Sequence, residues 1–399
     1  MKKLELIRRA GLCTTALACG ITALPAHAQS SVTLYGIVDA GLTYTSNAGG
    51  HSQYALTSGN MGANRWGMKG VEDLGSGFSA LFTIEGGFTM TNGKIGQNGT
   101  LFGRQAFVGL DGGFGTVTLG RQYAISTQFV GPFSSGNDWA APGAQYGTHP
   151  GDLDNLDSSN RINNAIKFRS KSYRGLTFGA DYSLGGVAGD ASRNQIYALA
   201  LAYAQGPVNL AVGYLNSRNP NYSFWGDKAN DSTSASNITS PVIAGYASAR
   251  TQQIILAGGS YKVGAASLAA VYSNIRFSGL GDTVVSGLTP VEAGYRGSAT
   301  FNDGELNVKY LFTPALQLGV AYDYVHGEGA GQGGVTYHQI NLGADYFLSK
   351  ATDLYAVVIY QHASGVDSRG VSAVAAITGA TPASGQKQVV ATFGLRHMF

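Results

Sequence analysis

Acidic side chains are concentrated in one segment of a chain that otherwise carries few charges. Charged residues make up only 12% of the 399 residues. Residues 124–160 contain no lysine or arginine, but four aspartates: Asp138, Asp152, Asp154 and Asp157. Such carboxylates can bind a cation or create a local negative field. The run 152–157 does not favour a calcium site, because Leu156 occupies the third ligand position and no glutamate completes the set.

Motifs for catalysis or cofactor binding are weak. Residues 329–334 match G-x-G-x-x-G, but no helix follows, so the match predicts a flexible loop. The histidines after residue 28 never form H-x-x-x-H or H-E-x-x-H, and no G-x-S-x-G occurs. His362 and Ser364 have Asp353 and Asp367 within range in the sequence, a proximity that is common in polar loops. We therefore predict no cofactor, no metal site and no catalytic residue.

The composition excludes several classes of protein. Glycine accounts for 58 of 399 residues, hydrophobic residues make up 44%, and there are 22 tyrosines. This aromatic content, with low charge, excludes a disordered chain. The absence of a three-residue glycine period, with only ten prolines, excludes a collagen. No apolar run of about 18 residues occurs after the first 28, which excludes a helical membrane protein.

The first 28 residues have the features of a cleaved export signal. A basic start with four lysines and arginines precedes an apolar stretch, and Ala26-His27-Ala28 supplies a small-x-small cleavage site. We expect cleavage near Ala28 and a single domain over 29–399. Both cysteines lie before that site, so the mature chain has no disulfide. It retains 22 basic and 22 acidic residues, a balance that gives no argument for nucleic-acid binding.

Alternation with a period of two runs through the rest of the chain. In residues 315–324 the apolar positions are Leu316, Leu318, Val320, Tyr322 and Tyr324. The same pattern occurs in 176–184, 305–310 and 338–348, and it predicts strands with one apolar and one polar face. Tyrosines recur near the ends of these segments, as in the interfacial girdles of transmembrane barrels. Strands of about ten residues also suit a tilted membrane crossing.

The connections between strands come in two lengths. Short turns alternate with long segments that are rich in glycine, serine, asparagine and proline, at about 124–160, 219–248, 278–297 and 365–386. This is the layout of an outer-membrane barrel with short periplasmic turns and long extracellular loops. We count 16 antiparallel strands, an even number that lets the sheet close without an edge. Counts of 14 or 18 fit the same pattern, because strand boundaries are the weakest part of it.

The last predicted strand ends at the last residue. Phe393, Leu395 and Phe399 belong to an alternating apolar face that continues to the C-terminus. We interpret these three residues as a signal for outer-membrane assembly, read by the barrel-assembly machinery. The alternative is an apolar strand that happens to end the chain.

Four segments of the chain resemble one known family. They are SVTLYGIVDAGLTY at 31–44, NRWGMKGVEDL at 64–74, FGRQAFVGLDGGFGTVTLGRQY at 102–123, and the closing LRHMF. Together, and in this order, they resemble the Gram-negative general porins of β-proteobacterial type. The resemblance implies a trimeric barrel of 16 transmembrane strands in which the third long loop folds inward and narrows the channel.

Candidate constriction residues on the barrel wall are basic. Arg104 shares strand parity with Val108, and if Phe107 is lipid-facing, Arg104 lies in the lumen. A charge on the lipid face would cost about 2–4 kcal/mol near the bilayer midplane. The resemblance carries over three more lumenal arginines, Arg65, Arg121 and Arg161. Lys69 shares strand parity with Arg65. For each of them the alternative is a position at the rim or in a wall salt bridge.

The loop opposite these residues is 124–160. Phe133 and its four aspartates are the candidate loop residues of the constriction. Enteric porins have a glutamate at this loop tip, whereas here the first acid is Asp138. We therefore expect the arginines to be incompletely balanced, which gives a modest preference for anions. Alternatively, Asp152, Asp154 and Asp157 return along the loop and restore the balance, or they form a solvated patch near the mouth.

The function that these patterns favour is passive diffusion of small polar solutes and ions through an outer-membrane porin. A wide barrel without fixed chemistry suits this function. The alternatives are a solute-specific uptake channel and, less well supported, an outer-membrane barrel enzyme. The expected partners are outer-membrane lipid, two further copies of the chain in a homotrimer, the barrel-assembly machinery and small hydrophilic solutes.

Overall fold

A computed structural model describes residues 31–226, 235–330 and 332–399. The predicted signal segment, 1–28, lies outside these residues. Seventeen strands of the described chain form one antiparallel sheet. Their bounds are β1 Ser31–Ala48, β2 His51–Ser58, β3 Arg65–Gly75, β4 Phe78–Gly87, β5 Gln105–Gly112, β6 Gly115–Gln122, β7 Ile162–Ser170, β8 Leu176–Ser183, β9 Ile196–Gln205, β10 Val208–Arg218, β11 Thr251–Val263, β12 Ala266–Leu280, β13 Gly297–Thr313, β14 Leu316–Gly329, β15 Gln332–Phe347, β16 Thr352–Gly365 and β17 Lys387–Met398.

Helical segments are short and lie in the connections. The α-helical turns are α1 Gly96–Gly99, α2 Ile125–Val130, α3 Ser135–Asp138, α4 Pro220–Ser223 and α5 Pro290–Ala293. Three further turns are 3-10 helical: Gly131–Phe133, Pro150–Asp152 and Ala244–Tyr246. Within the described ranges, none of the helices has the length and apolar character needed to cross a membrane.

The sheet closes on itself between its first and last strands. Strand β1 pairs antiparallel with β17 from Ile37 opposite Met398 to Thr45 opposite Val390. The terminal Phe399 continues this pairing, because its N–H donates to the Gly36 carbonyl at 3.1 Å and its carbonyl accepts from Gly36 at 2.9 Å. Closure removes the free edges that an open sheet would expose in lipid. The predicted 16-stranded antiparallel barrel is therefore confirmed, with one additional strand.

The additional strand arises because the second barrel strand is broken. The C-terminal half of β1 pairs with β2 and its N-terminal half pairs with β3, so β2 and β3 share one position in the barrel. Residues 59–64 interrupt that strand and stand opposite only Val38 and Asp39. The Asp39 carboxylate stabilises the insertion by accepting the N–H groups of Met61 and Gly62, each at 2.7 Å. The predicted count of 16 strands did not include this division into β2 and β3.

The two faces of the wall follow the predicted alternation. Leu316, Leu318, Val320, Tyr322 and Tyr324 all lie on the outer face, and the last four are exposed there. Such an apolar exterior is what a lipid bilayer covers. In β5, however, the predicted orientation of Phe107 is wrong. Val108 and Leu110 are 56% and 39% exposed on the outer face, which places Phe107 on the inner face.

The long connections lie at the end of the barrel opposite the chain termini. They join β6 to β7, β10 to β11, β12 to β13 and β16 to β17, as the sequence predicted. Residues 123–161, between β6 and β7, fold into the barrel, and we call this segment the inner loop. Its helix α2 packs on β8, β9, β10 and β11. The inward fold that the resemblance implied is thus confirmed.

Glycines on the inner wall make room for the inner loop. The Trp139 indole lies on Gly319 of β14 and Gly343 of β15, two residues that are direct cross-strand partners. A Cβ added at these glycines would lie 2.6 Å and 2.8 Å from the indole ring, closer than van der Waals contact allows. At these positions the inner loop, and not water, covers the inner face of the wall.

Candidate functional site

A cavity of about 640 Å³ lies inside the barrel between the inner loop and the wall. Its lining is strongly basic, with five arginines: Arg65, Arg104, Arg161, Arg169 and Arg396. Two carboxylates from the inner loop, Asp138 and Asp157, also line it. The cavity therefore brings arginines from several parts of the wall together with Arg161 and two acids of the inner loop.

Arg65 and Arg104 share one wall carboxylate. Arg104 Nε donates to Glu85 Oε1 at 2.7 Å, and Arg65 Nε lies 3.7 Å from Glu85 Oε2. Tyr35 also donates to Glu85 Oε2, at 2.9 Å, and Arg104 donates to the Tyr123 hydroxyl at 2.8 Å. Two guanidinium groups against one carboxylate leave one positive charge at this wall. Residues 104 and 107 have opposite parity, yet both Arg104 and Phe107 face inward. This is possible because Arg104 precedes β5, so strand parity does not apply to it.

Arg161 and Arg169 lie over aromatic rings. The Arg161 guanidinium carbon lies 5.1 Å from the centre of the Tyr123 ring, and that of Arg169 lies 5.3 Å from the centre of Phe129. Neither arginine forms an ion pair within the described ranges. The Nε of Arg161 is buried and has no hydrogen-bond partner there. Aromatic faces attract guanidinium groups without neutralising their charge.

Arg169 and Arg396 are cavity residues that the sequence analysis missed. Arg396 forms ion pairs with Asp353 at 2.8 Å and with Asp345 at 3.5 Å. Strand parity signals only that both arginines face inward, and not that they reach the cavity. Arg396 alternates with the outward-facing Leu395, and Arg169 lies opposite in parity to the exposed Ile166.

Two predicted basic residues do not line the cavity. Lys69 is exposed on the same inner side of β3 as Arg65, and its Nζ lies 5.5 Å from the centre of the Tyr35 ring. Arg121 donates to the Gly103 carbonyl at 2.7 Å and to Asn163 Oδ1 at 2.6 Å, where β6 meets β7. Their role as constriction residues stays a prediction.

The acids of the inner loop lie in three different environments. Asp138 lines the cavity and forms an ion pair with Lys309 of β13. Asp157 also lines it and accepts a hydrogen bond from Thr148 at 2.8 Å, and burial raises the pKa of its carboxyl well above the usual range. Asp152 and Asp154 are 0% and 1% exposed and lie outside the cavity lining. Asp152 accepts the N–H groups of Asp157 and Ser159 at 3.1 Å and 2.9 Å.

These positions correct both expectations for Asp152 and Asp154. The two carboxylates neither face the wall arginines nor form a solvated patch, because the folded loop encloses them. Burial and the neighbouring Asp154 raise the pKa of Asp152 to about 7. Phe133 is likewise directed away from the cavity and packs over Gly258 of β11.

The predicted assembly residues lie on the outer face of the closing strand. Phe393 and Leu395 of β17 are exposed there, and Phe399 is exposed at the chain end. Their recognition by assembly machinery stays a prediction.

Comparison with known proteins agrees with this architecture. A family described as Gram-negative porin matches residues 14–365, most of the chain. An outer membrane porin protein of Bordetella pertussis is 34% identical over 227 residues, which cover 49% of this chain and 56% of that protein. The outer membrane porin protein 32 of Delftia acidovorans is 29% identical over 270 residues, which cover 63% of this chain and 66% of that protein. The matches thus span roughly half to two thirds of these relatives.

Solved structures share the fold at low sequence identity. An anion-selective porin from Comamonas acidovorans superposes with a TM-score of 0.68 at 23% identity, covering 93% of this chain and all of that chain. A trimer form of OmpT from Vibrio cholerae gives a TM-score of 0.61 at 14% identity, covering 93% of this chain and 99% of that chain. The closed barrel and its apolar exterior agree with the family match over residues 14–365. The chain therefore belongs to the Gram-negative porin family of integral outer-membrane proteins.

Proposed function

We propose that the protein forms a water-filled channel for passive diffusion of small polar solutes and ions, with a modest preference for anions. The observation that carries the proposal is the basic cavity between the inner loop and the barrel wall. Pores of this kind select by width and by the electric field at the narrowest point. Matched relatives named as outer membrane porins support the same activity.

The anion preference follows from how the charges in the cavity are paired. Arg396 is compensated by two aspartates, and Glu85 compensates only one of Arg65 and Arg104. Arg161 and Arg169 stack on aromatic rings and keep their full charge. On the loop side, Lys309 neutralises Asp138, and burial favours the protonated form of Asp157. The sum is an excess of positive charge along the solute path.

A channel also fits the surroundings of the residues that could suggest an enzyme. Asp353 is bound to Arg396 at 2.8 Å, and Asp367 is bound to Arg369 at 2.6 Å. The His362 ring stacks with His338 of the neighbouring strand at 6.4 Å between ring centres. We therefore take the protein to be a channel and not a hydrolase.

The test is a planar-bilayer measurement of the purified mature protein under a salt gradient. We expect discrete current steps and a reversal potential whose sign indicates that anions permeate better than cations. Arg161→Gln should reduce that potential, whereas the matched variant Arg174→Gln, at an exposed turn outside the cavity, should not. Folded protein without conductance would contradict the channel. A current that saturates with one solute would favour the solute-specific alternative.

The mature form and its assembly belong to the same proposal. We expect a single domain, 29–399, that inserts into lipid through the barrel-assembly machinery after signal cleavage near Ala28. A homotrimer is supported by the trimer form of the structurally similar OmpT. N-terminal sequencing and current steps in groups of three would test these points, and single isolated steps would argue for a monomer.

A further inference from the structure

Five ionisable side chains meet in a closed cluster between the inner loop and the barrel wall. His149 and Asp154 come from the inner loop, Asp303 and Glu305 from β13, and Asp323 from β14. Each of the five is 1% exposed. The cluster is separate from the basic cavity, whose lining includes none of them.

The charges in this cluster do not balance. One imidazole faces four carboxylates: His149 Nδ1 lies 2.7 Å from Asp154 Oδ2 and 3.1 Å from Asp303 Oδ2, and its Nε2 lies 3.3 Å from Glu305 Oε2. Asp323 lies next to His149 and Asp303. In the described part of the chain, no lysine or arginine forms an ion pair with any of these carboxylates. Buried carboxylates need a compensating positive charge or a full set of donors.

The donors in the cluster are unevenly distributed. Glu305 accepts the Ser135 N–H and hydroxyl, both at 2.8 Å, as well as the side-chain amide of Asn307. Asp154 accepts from Ser273 Oγ at 2.5 Å and contacts His149. In contrast, the buried carboxyl groups of Asp303 and Asp323 lie against each other, and His149 is the only donor beside them among the described residues. Their four oxygens therefore lack the set of donors that Glu305 has.

We propose that this cluster binds one divalent transition-metal ion, such as Mn²⁺ or Zn²⁺, through His149, Asp154 and Asp303. The three ligand atoms converge, since they all lie within 4.8 Å of one another. The separations of 2.7 Å and 3.1 Å lie near the roughly 3 Å between adjacent ligands of an octahedral ion with bonds of about 2.1 Å, and the ion would replace the hydrogen bond between His149 Nδ1 and Asp154 Oδ2. An imidazole nitrogen with carboxylate oxygens suits these metals better than Ca²⁺ or Mg²⁺, which prefer oxygen alone. Asp323 supplies further negative charge beside the ion.

Such an ion would fasten the inner loop to the wall. His149 and Asp154 lie on the part of the loop that returns to β7, whereas Asp303 belongs to a membrane-spanning strand. One ion coordinated by all three would hold that return segment, which carries the cavity residue Asp157, against β13. The inference goes beyond the proposed channel function, and its test measures binding without any measurement of current.

The experiment uses the full mature chain in detergent, free of lipopolysaccharide and stripped of metal with EDTA, with Mn²⁺ alone as the probe. Free Mn²⁺ is quantified by its electron paramagnetic resonance signal. We expect one bound ion per chain, and at least tenfold weaker binding for Asp303→Asn. The matched control is Asp181→Asn, which alters another buried carboxylate that contacts the inner loop, through the Ile125 N–H at 2.6 Å, outside the cluster. The control should bind Mn²⁺ as the wild type does.

Two results would overturn the proposal. Equal Mn²⁺ binding by wild type and Asp303→Asn would mean that the cluster shares protons and holds no metal. If Asp303→Asn fails to fold, a second measurement on the wild type tests the proposal. The electron spin echo of Mn²⁺ bound to the wild type must show coupling to an imidazole nitrogen. Absence of that coupling would exclude His149 as a ligand, whereas its presence would support the site.

Discussion

Trp139 of the inner loop lies flat against Gly319 of β14, so the position of the loop depends on the absence of a side chain in the wall. A Cβ at Gly319 would lie 2.6 Å from the indole ring. Overpacking of this kind forces neighbouring groups to move. The wall glycine and the loop tryptophan therefore define together how far the inner loop extends across the barrel.

The first prediction concerns this contact. Gly319→Ala should displace Trp139 and the inner loop, at a cost of about 1–3 kcal/mol in the free energy of unfolding. We expect an altered single-channel conductance and a changed solute-exclusion limit in liposome swelling. Gly304→Ala is the matched control, because a Cβ there meets no atom within 4 Å. Equal conductance in both variants and the wild type would mean that Trp139 does not set the position of the loop.

The second prediction concerns Arg104. Replacing it with serine removes the closer of the two guanidinium groups that bind Glu85, at 2.7 Å. Breaking a buried pair typically costs about 3–5 kcal/mol. We expect lower thermal stability and a reversal potential shifted toward cations, whereas Arg104→Lys should keep most of the anion preference. An unchanged potential in the serine variant would exclude Arg104 from the constriction.

The third prediction concerns pH. Burial and the neighbouring Asp152 raise the pKa of Asp157, so its carboxyl is neutral below that raised pKa and becomes negative above it. Raising the pH through that raised pKa should therefore add negative charge to the cavity and weaken the anion preference. The reversal potential measured across a pH series checks this. Asp157→Asn should abolish the change of reversal potential with pH. If the variant kept the whole change, a different titrating group would be its cause.

The fourth prediction concerns the insertion at residues 59–64. Asp39 accepts two backbone N–H groups from it, each at 2.7 Å, and the Tyr355 hydroxyl at 2.6 Å. Hydrogen bonds to a charged group contribute about 1.5–3 kcal/mol each. Asp39→Ala should lower the unfolding temperature clearly in a heat-modifiability assay. Asp190→Ala, at an exposed loop position, should leave the unfolding temperature unchanged. Equal effects of the two substitutions would contradict this role of Asp39.

Strand positions could be predicted from local pattern alone. The alternating segments 176–184, 305–310, 315–324 and 338–348 each fall on an observed strand with at most one residue beyond its bounds, because alternation along a strand reports which residues share a face. Parity cannot say which face is outside, however, and a single aromatic residue is a poor guide to it. Phe107 illustrates this, since its neighbours Val108 and Leu110 are the outward-facing residues. The break between β2 and β3 was also not predicted, because the Asp39 contacts that stabilise it leave no periodic pattern in the sequence.

The site was less predictable than the fold, because its contacts join residues that are distant in the sequence. By itself, the sequence determined the closed antiparallel barrel, its apolar exterior and the inner loop as an acidic segment, since each of these depends on periodicity or composition. Only the tertiary structure decided that Arg169 and Arg396 join the cavity, that Asp152 and Asp154 are enclosed, and that His149 meets Asp303. These contacts join residues far apart in the chain, and they depend on barrel stagger and on the path of one folded loop, which no local spacing encodes.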